Sequence, residues 1–160
     1  VIYELKITLR LLDESVFRKI QVDGRITFYD LHHILQIAFD WDNYHLHDFS
    51  VTKTNGTRVE DVSITPNSEK EDNFFIMNDE YDEKKEKISD WFKMAKDTVI
   101  YTYDFGDDWR HEITLLKKIK PEKGVKYPHC VDAEYLAPEE DSGGQFCLGE
   151  AEPEDIDRKW

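Results

Sequence analysis

The stretch Tyr101-Thr102-Tyr103-Asp104-Phe105-Gly106-Asp107-Asp108-Trp109-Arg110-His111 decides the fold. An alternating segment enters an acidic turn containing one glycine, and a second alternating segment leaves it. In the second, Trp109, His111, Ile113 and Leu115 share one face, with Glu112, Thr114 and Leu116 on the other. Such a period of two marks half-buried strands, so 99–103 and 109–119 are expected to form a central antiparallel hairpin.

Residues 2–12 repeat the pattern, with Tyr3, Leu5, Ile7, Leu9 and Leu11 on one side and Glu4, Lys6, Thr8 and Arg10 on the other. After the turn Asp13-Glu14-Ser15, residues 16–22 return as the second arm of a hairpin. Thr27 then stands as N-cap of a helix, with Asp30 at the capping-box position three residues on. Phe28, Leu31, Leu35 and Ala38 recur at helical spacing, and Ile34 and Phe39 widen the stripe. His32 and His33 fall beside or opposite that stripe and read as exposed or flanking.

Asp40-Trp41-Asp42-Asn43 ends the helix, and 45–52 follows as a strand. Asn55-Gly56 is a strong hairpin signal, because both central residues of a type I′ turn take positive φ. Residues 57–62 are expected to return. The polar stretch 63–80 reads as a long loop with one short strand. A second helix is expected over 81–94, where Ile88, Trp91 and Phe92 form a small apolar face among lysines and glutamates. Beyond Pro121 the breakers Pro128, Pro138, Gly143-Gly144, Gly149 and Pro153 predict loop.

The sum is an α+β fold: a mostly antiparallel sheet built from hairpins, with two helices packed on it and a long, loop-rich acidic C-terminal segment. With 160 residues, a single domain over 1–160 is expected, its core in 1–120 and the acidic segment in 121–160. The net charge of −14 is uneven: residues 130–160 hold ten acids against two bases. That distribution repels phosphate backbones and disfavours direct nucleic-acid binding. No run is apolar enough to span a bilayer and no signal-peptide pattern opens the chain, so a cytoplasmic protein with Cys130 and Cys147 as free thiols is expected.

Four blocks resemble the plasmid pRi open-reading-frame-three-like family of bacteria and archaea, whose members are mostly of unassigned function. They are Val16-Phe17-Arg18-Lys19, where the family usually has tryptophan for Phe17; Leu31-His32 with Trp41, His45-Leu46-His47 and Phe49; Tyr103-Asp104-Phe105-Gly106-Asp107 with Trp109 and His111; and Cys130-Val131-Asp132 with Pro138, Glu140-Asp141 and Gly143-Gly144. Ala137, Glu139 and Ala133 depart from the family's usual cysteine, proline and glycine. A cysteine pair in that loop is therefore not supported.

Two kinds of chemistry fit these residues. His45 and His47, two apart on a strand, would offer two imidazoles to one divalent metal, with Asp104, Asp107 and His111 completing the set. Glu140 would then be the general base of a metal-dependent hydrolase or nuclease-like enzyme, beside Asp141. The blander account is a structural His–Asp network in an aromatic sheet, with the aspartates capping turn amides. Neither a catalytic triad, a phosphate loop nor a complete metal motif is present, and His129 beside Cys130 does not make an activated nucleophile.

The reading is thus a binding or interaction domain rather than an enzyme. Its cleft would comprise Trp41, His45, His47, Tyr103, Asp104, Asp107, Trp109, His111, Glu140 and Asp141. The expected partner is a protein or a small cationic ligand.

Overall fold

The computed structural model describes residues 1–10, 15–43, 45–55, 58–66, 80–105, 109–135, 137 and 151–160. One eight-stranded sheet runs through them in the order β5-β4-β3-β6-β7-β1-β2-β8. In chain order the elements are β1 (Ile2–Arg10), β2 (Ser15–Asp23), α1 (Phe28–Ala38), β3 (His47–Asn55), β4 (Arg58–Thr65), β5 (Glu80–Asp82), α2 (Ile88–Trp91), β6 (Thr98–Tyr103), β7 (Trp109–Ile119), β8 (His129–Glu134) and α3 (Pro153–Asp157). Every neighbouring pair is antiparallel except β4 and β5. The α+β class and the mostly antiparallel sheet are as the alternation predicts.

Register explains which residues make the core. Val16, Leu9, His111, Tyr101, Phe49, Ile64 and Tyr81 pair successively across seven strands, forming one inward row. All but Tyr81, which packs at its margin, are fully buried or nearly so. The helical stripe Phe28, Leu31, Leu35 and Ala38 covers this face, with Phe28 edge-on to Phe49 at 5.0 Å. The capping box is present: the Thr27 hydroxyl accepts from the Asp30 amide, and the Asp30 carboxylate accepts from the Thr27 amide, both at 3.2 Å.

A buried cation ties the far edge to the helix end. Arg18 on β2 lies over the Phe39 ring, and its guanidinium donates to the carbonyls of Ala38 at 3.0 Å and Tyr135 at 2.8 Å. Burial pulls its pKa down to about 10, still well above neutrality. At the other end of β8, the Asp157 carboxylate of α3 accepts from the His129 ring and the Cys130 amide.

Several expectations are corrected. The second helix, expected over 81–94, is only the single turn α2, preceded by the strand β5. Long-range bonds outcompete local helix propensity there: the amides of Glu83, Phe28 and Ile88 donate to Thr65, Glu86 and Ile26 respectively. The segment after Pro121 is not simply loop, since β8 adds a strand beside β2 and α3 a helical turn, so the described residues hold three helices where two were expected. β3 begins at His47 rather than at His45, and β4 runs from Arg58 to Thr65. The 74–77 run, the Gly56 and Gly106 turns, Asp107, Cys147 and the Glu140–Gly144 loop lie outside the described residues. Among the described residues no helix is long and apolar enough to cross a membrane.

Candidate functional site

The next inward row, His47, Tyr103 and Trp109, lies where the sheet ends beside the 40–46 segment. Trp41 stacks against Tyr103 at 5.1 Å, Trp109 at 6.0 Å and Phe39 at 5.5 Å. Of the expected cleft residues, Trp41, Tyr103, Trp109 and His111 are therefore packed in an aromatic floor. His111 donates from Nδ1 to the Tyr101 carbonyl at 3.1 Å, and burial pulls its pKa down to about 4. Its Nε2 and the Trp109 Nε1 are buried and have no hydrogen-bond partner among the described residues.

His32, expected to be exposed or flanking, is buried and sits in a closed polar ring. Its Nε2 donates to Asn43 Oδ1 at 2.7 Å, and the Asn43 amide donates to Gln36 Oε1 at 2.8 Å. Gln36 Nε2 donates to the Tyr101 hydroxyl at 2.9 Å, and that hydroxyl returns its proton toward His32 Nδ1 at 2.7 Å. The directions follow from the donor inventory, since an amide oxygen only accepts and a neutral imidazole has one donor and one acceptor. Burial, reinforced by His47, lowers the His32 pKa to about 3, which matches the neutral ring this cycle requires.

His47 stacks on His32 with centroids 3.5 Å apart and planes 7° apart. Its Nε2 donates to both oxygens of buried Glu83 at 3.0 and 2.9 Å. His45 has a different neighbour: its Nε2 lies 3.5 Å from Asp104 Oδ2, and its amide donates to the Tyr103 hydroxyl at 3.3 Å. The two histidines thus approach separate carboxylates. Among the described residues, no three His, Cys, Asp or Glu side chains gather so as to hold a metal ion. Asp107, Glu140 and Asp141 are outside the described set. Cys130 is buried, and burial raises its thiol pKa to about 12, the opposite of an activated nucleophile.

The backbone is unusual at this end. Among the described residues five non-glycines have φ between 60° and 78°, and three of them, Asp40, Asn43 and Asp104, stand here. Aspartate and asparagine tolerate this left-handed region better than other side chains, at some cost in strain. The Asp104 amide donates to the Leu46 carbonyl at 2.9 Å, clasping the 40–46 segment to the end of β6.

Sequence reasoning missed Asn43 and Glu83 as partners of the histidines, and Gln36 as the residue that joins Asn43 to Tyr101. Glu83 was hidden in a charge-rich stretch that reads as a solvated helix face. The one available signal was His32 in the Leu31-His32 block.

The chain resembles the uncharacterised protein y4hQ of Sinorhizobium fredii, at 30% identity over 162 residues, covering 95% of this chain and 74% of that protein. It also superposes on the crystal structure of a protein of unknown function, MM3350, from Methanosarcina mazei, with a TM-score of 0.75 and 35% identity. That match covers 89% of this chain and 75% of the other. The family model of the plasmid pRiA4b ORF-3-like proteins matches residues 1–151, and the chain belongs to that family.

Proposed function

We propose that this protein is a binding domain whose site is the rim formed by residues 40–43, 45 and 46 and the end of β6, above the aromatic floor of Trp41, Tyr103 and Trp109. The observation that carries this reading is the concentration of left-handed Asp40, Asn43 and Asp104 at one end of the sheet. Strained non-glycine backbone persists only where its surroundings hold it, and it clusters at functional sites. Here the holding is explicit. The His32–Asn43–Gln36–Tyr101 ring fixes Asn43, and the Leu46 carbonyl fixes Asp104.

A preorganised platform lowers the ordering cost of association. The hydrolase reading has less support, because His47 is committed to Glu83 and His111 to the Tyr101 carbonyl, while Asp104 lies beside His45.

The test is site-specific photo-crosslinking in living cells, with the crosslinker at Phe105 on the rim and, as control, at Lys123 on the far loop. A discrete adduct from position 105, absent from position 123 and weakened by Asp104→Asn, is expected. Asparagine keeps the left-handed backbone while removing the charge beside His45. Equal labelling from both positions would reject the rim as the site.

A further inference from the structure

The rim carries two large apolar side chains that the fold does not use. Leu46 is 65% exposed and Phe105 52% exposed. Isolated exposed hydrophobes need no explanation. These two are different, because the bond from the Asp104 amide to the Leu46 carbonyl sets their segments side by side. Phe105 also directly follows the left-handed Asp104. An aromatic and an aliphatic residue exposed on adjoining segments of a polar rim fit the anatomy of an interface anchor site.

Charge selects the partner. Residues 40–46 contain Asp40 and Asp42 and no lysine or arginine. Asp40 and Asp42 are exposed. An ammonium group already occupies part of this field: Lys159, just beyond α3, places Nζ 3.4 Å from Asp40 Oδ1. The chain as a whole carries −14, so the long-range field favours a cationic partner.

We infer that the Leu46–Phe105 rim docks a lysine- or arginine-rich peptide segment that lays one apolar side chain between the two residues while its cations face Asp40 and Asp42. This inference rests on the rim being a binding platform and adds the chemistry of its occupant. An incoming cation would take the place of Lys159 beside Asp40, so the contact with the C-terminal turn would exchange on binding.

The experiment uses the full chain and three fluorescent synthetic peptides: lysine-rich with a central leucine, the same with serine for leucine, and glutamate-rich with the central leucine. Anisotropy titrations would follow each, with wild type, the Leu46→Ser/Phe105→Ser double variant and the Asp40→Asn/Asp42→Asn double variant. The lysine–leucine peptide is expected to bind wild type, and to weaken about tenfold with either double variant. It should also weaken about tenfold as salt rises from about 50 to about 200 mM. All four substituted positions are exposed or at the rim, so thermal melts should show both variants folded.

Equal binding of the serine peptide, or indifference to Leu46→Ser/Phe105→Ser, would reduce the contact to bulk charge and overturn the inference. So would preferential binding of the glutamate peptide, absence of all peptide binding, or self-association that depends on Leu46 and Phe105, which would make a second copy the occupant. In those cases a position-specific crosslink from Phe105 would leave the platform standing and remove only the basic partner. Loss of the crosslink as well would remove both.

Discussion

His32 occupies a position where helical spacing gives an ambiguous answer, one step from Leu31 on the apolar stripe. The structure resolves the ambiguity through Tyr101 and Asn43, hydrogen-bond partners 69 and 11 residues away, which periodicity does not report. The same holds for His47, legible as a strand residue but not as the partner of Glu83. The inward placement of Trp109 and His111 on β7, by contrast, was legible from alternation alone.

Burial holds His32 and His111 neutral, at about 3 and about 4 against an ordinary 6.5. Both values are depressed, so the unfolded chain binds more protons, and their contribution is complete above about pH 6.5 and lost as pH falls. Each histidine costs up to about 1.4 kcal/mol per pH unit in that window, so the pair removes about 3–4 kcal/mol between about pH 7 and about pH 5. Urea unfolding at the two pH values measures this. A midpoint unchanged by acid would contradict the buried neutral rings. The raised thiol of Cys130 makes a second residue-scale prediction. Alkylation by iodoacetamide, located by peptide mass spectrometry, should be slow at Cys130 in the native protein and fast in denaturant.

Among the elements, those specified by local chemistry were legible and those specified by remote pairing were not. The β1–β2 and β6–β7 hairpins follow from alternation, and α1 follows from its stripe and capping box. Nothing near Glu80–Asp82 or His129–Glu134 announces a strand. β5 exists because β4 offers Ser63, Ile64 and Thr65 in parallel register, and β8 because β2 has an open edge. The capping box gives an element-scale prediction: Thr27→Ala should lower stability by about 1 kcal/mol, read from chemical denaturation. An unchanged stability would mean that the tertiary bridge from Thr27 to Lys87 holds the helix start without the cap.

For the whole molecule, the ties between parts are few and specific. Arg18 bonds the end of α1 to the residues at the end of β8. Arg18→Met keeps much of the volume but strands those buried carbonyls, so a loss of about 2–4 kcal/mol is expected in urea unfolding. A variant as stable as wild type would show that hydrophobic packing, rather than the guanidinium, joins the two edges. The α+β class was legible in the sequence, as was the central hairpin that carries Tyr103, Asp104 and Trp109. The division of its histidines between separate carboxylates was not, because that depends on how α1, β3 and the segment around Glu83 come together in space.

The central claim is that the rim is built rigid before any partner arrives, and native-state hydrogen exchange tests it most directly. The amides of Trp41, Asn43 and Asp104 lie outside helix and strand, yet donate to the Gln36 carbonyl, Gln36 Oε1 and the Leu46 carbonyl. They should exchange as slowly as amides within β6 and β7. Exchange at the rate of open loop amides would contradict a preformed platform.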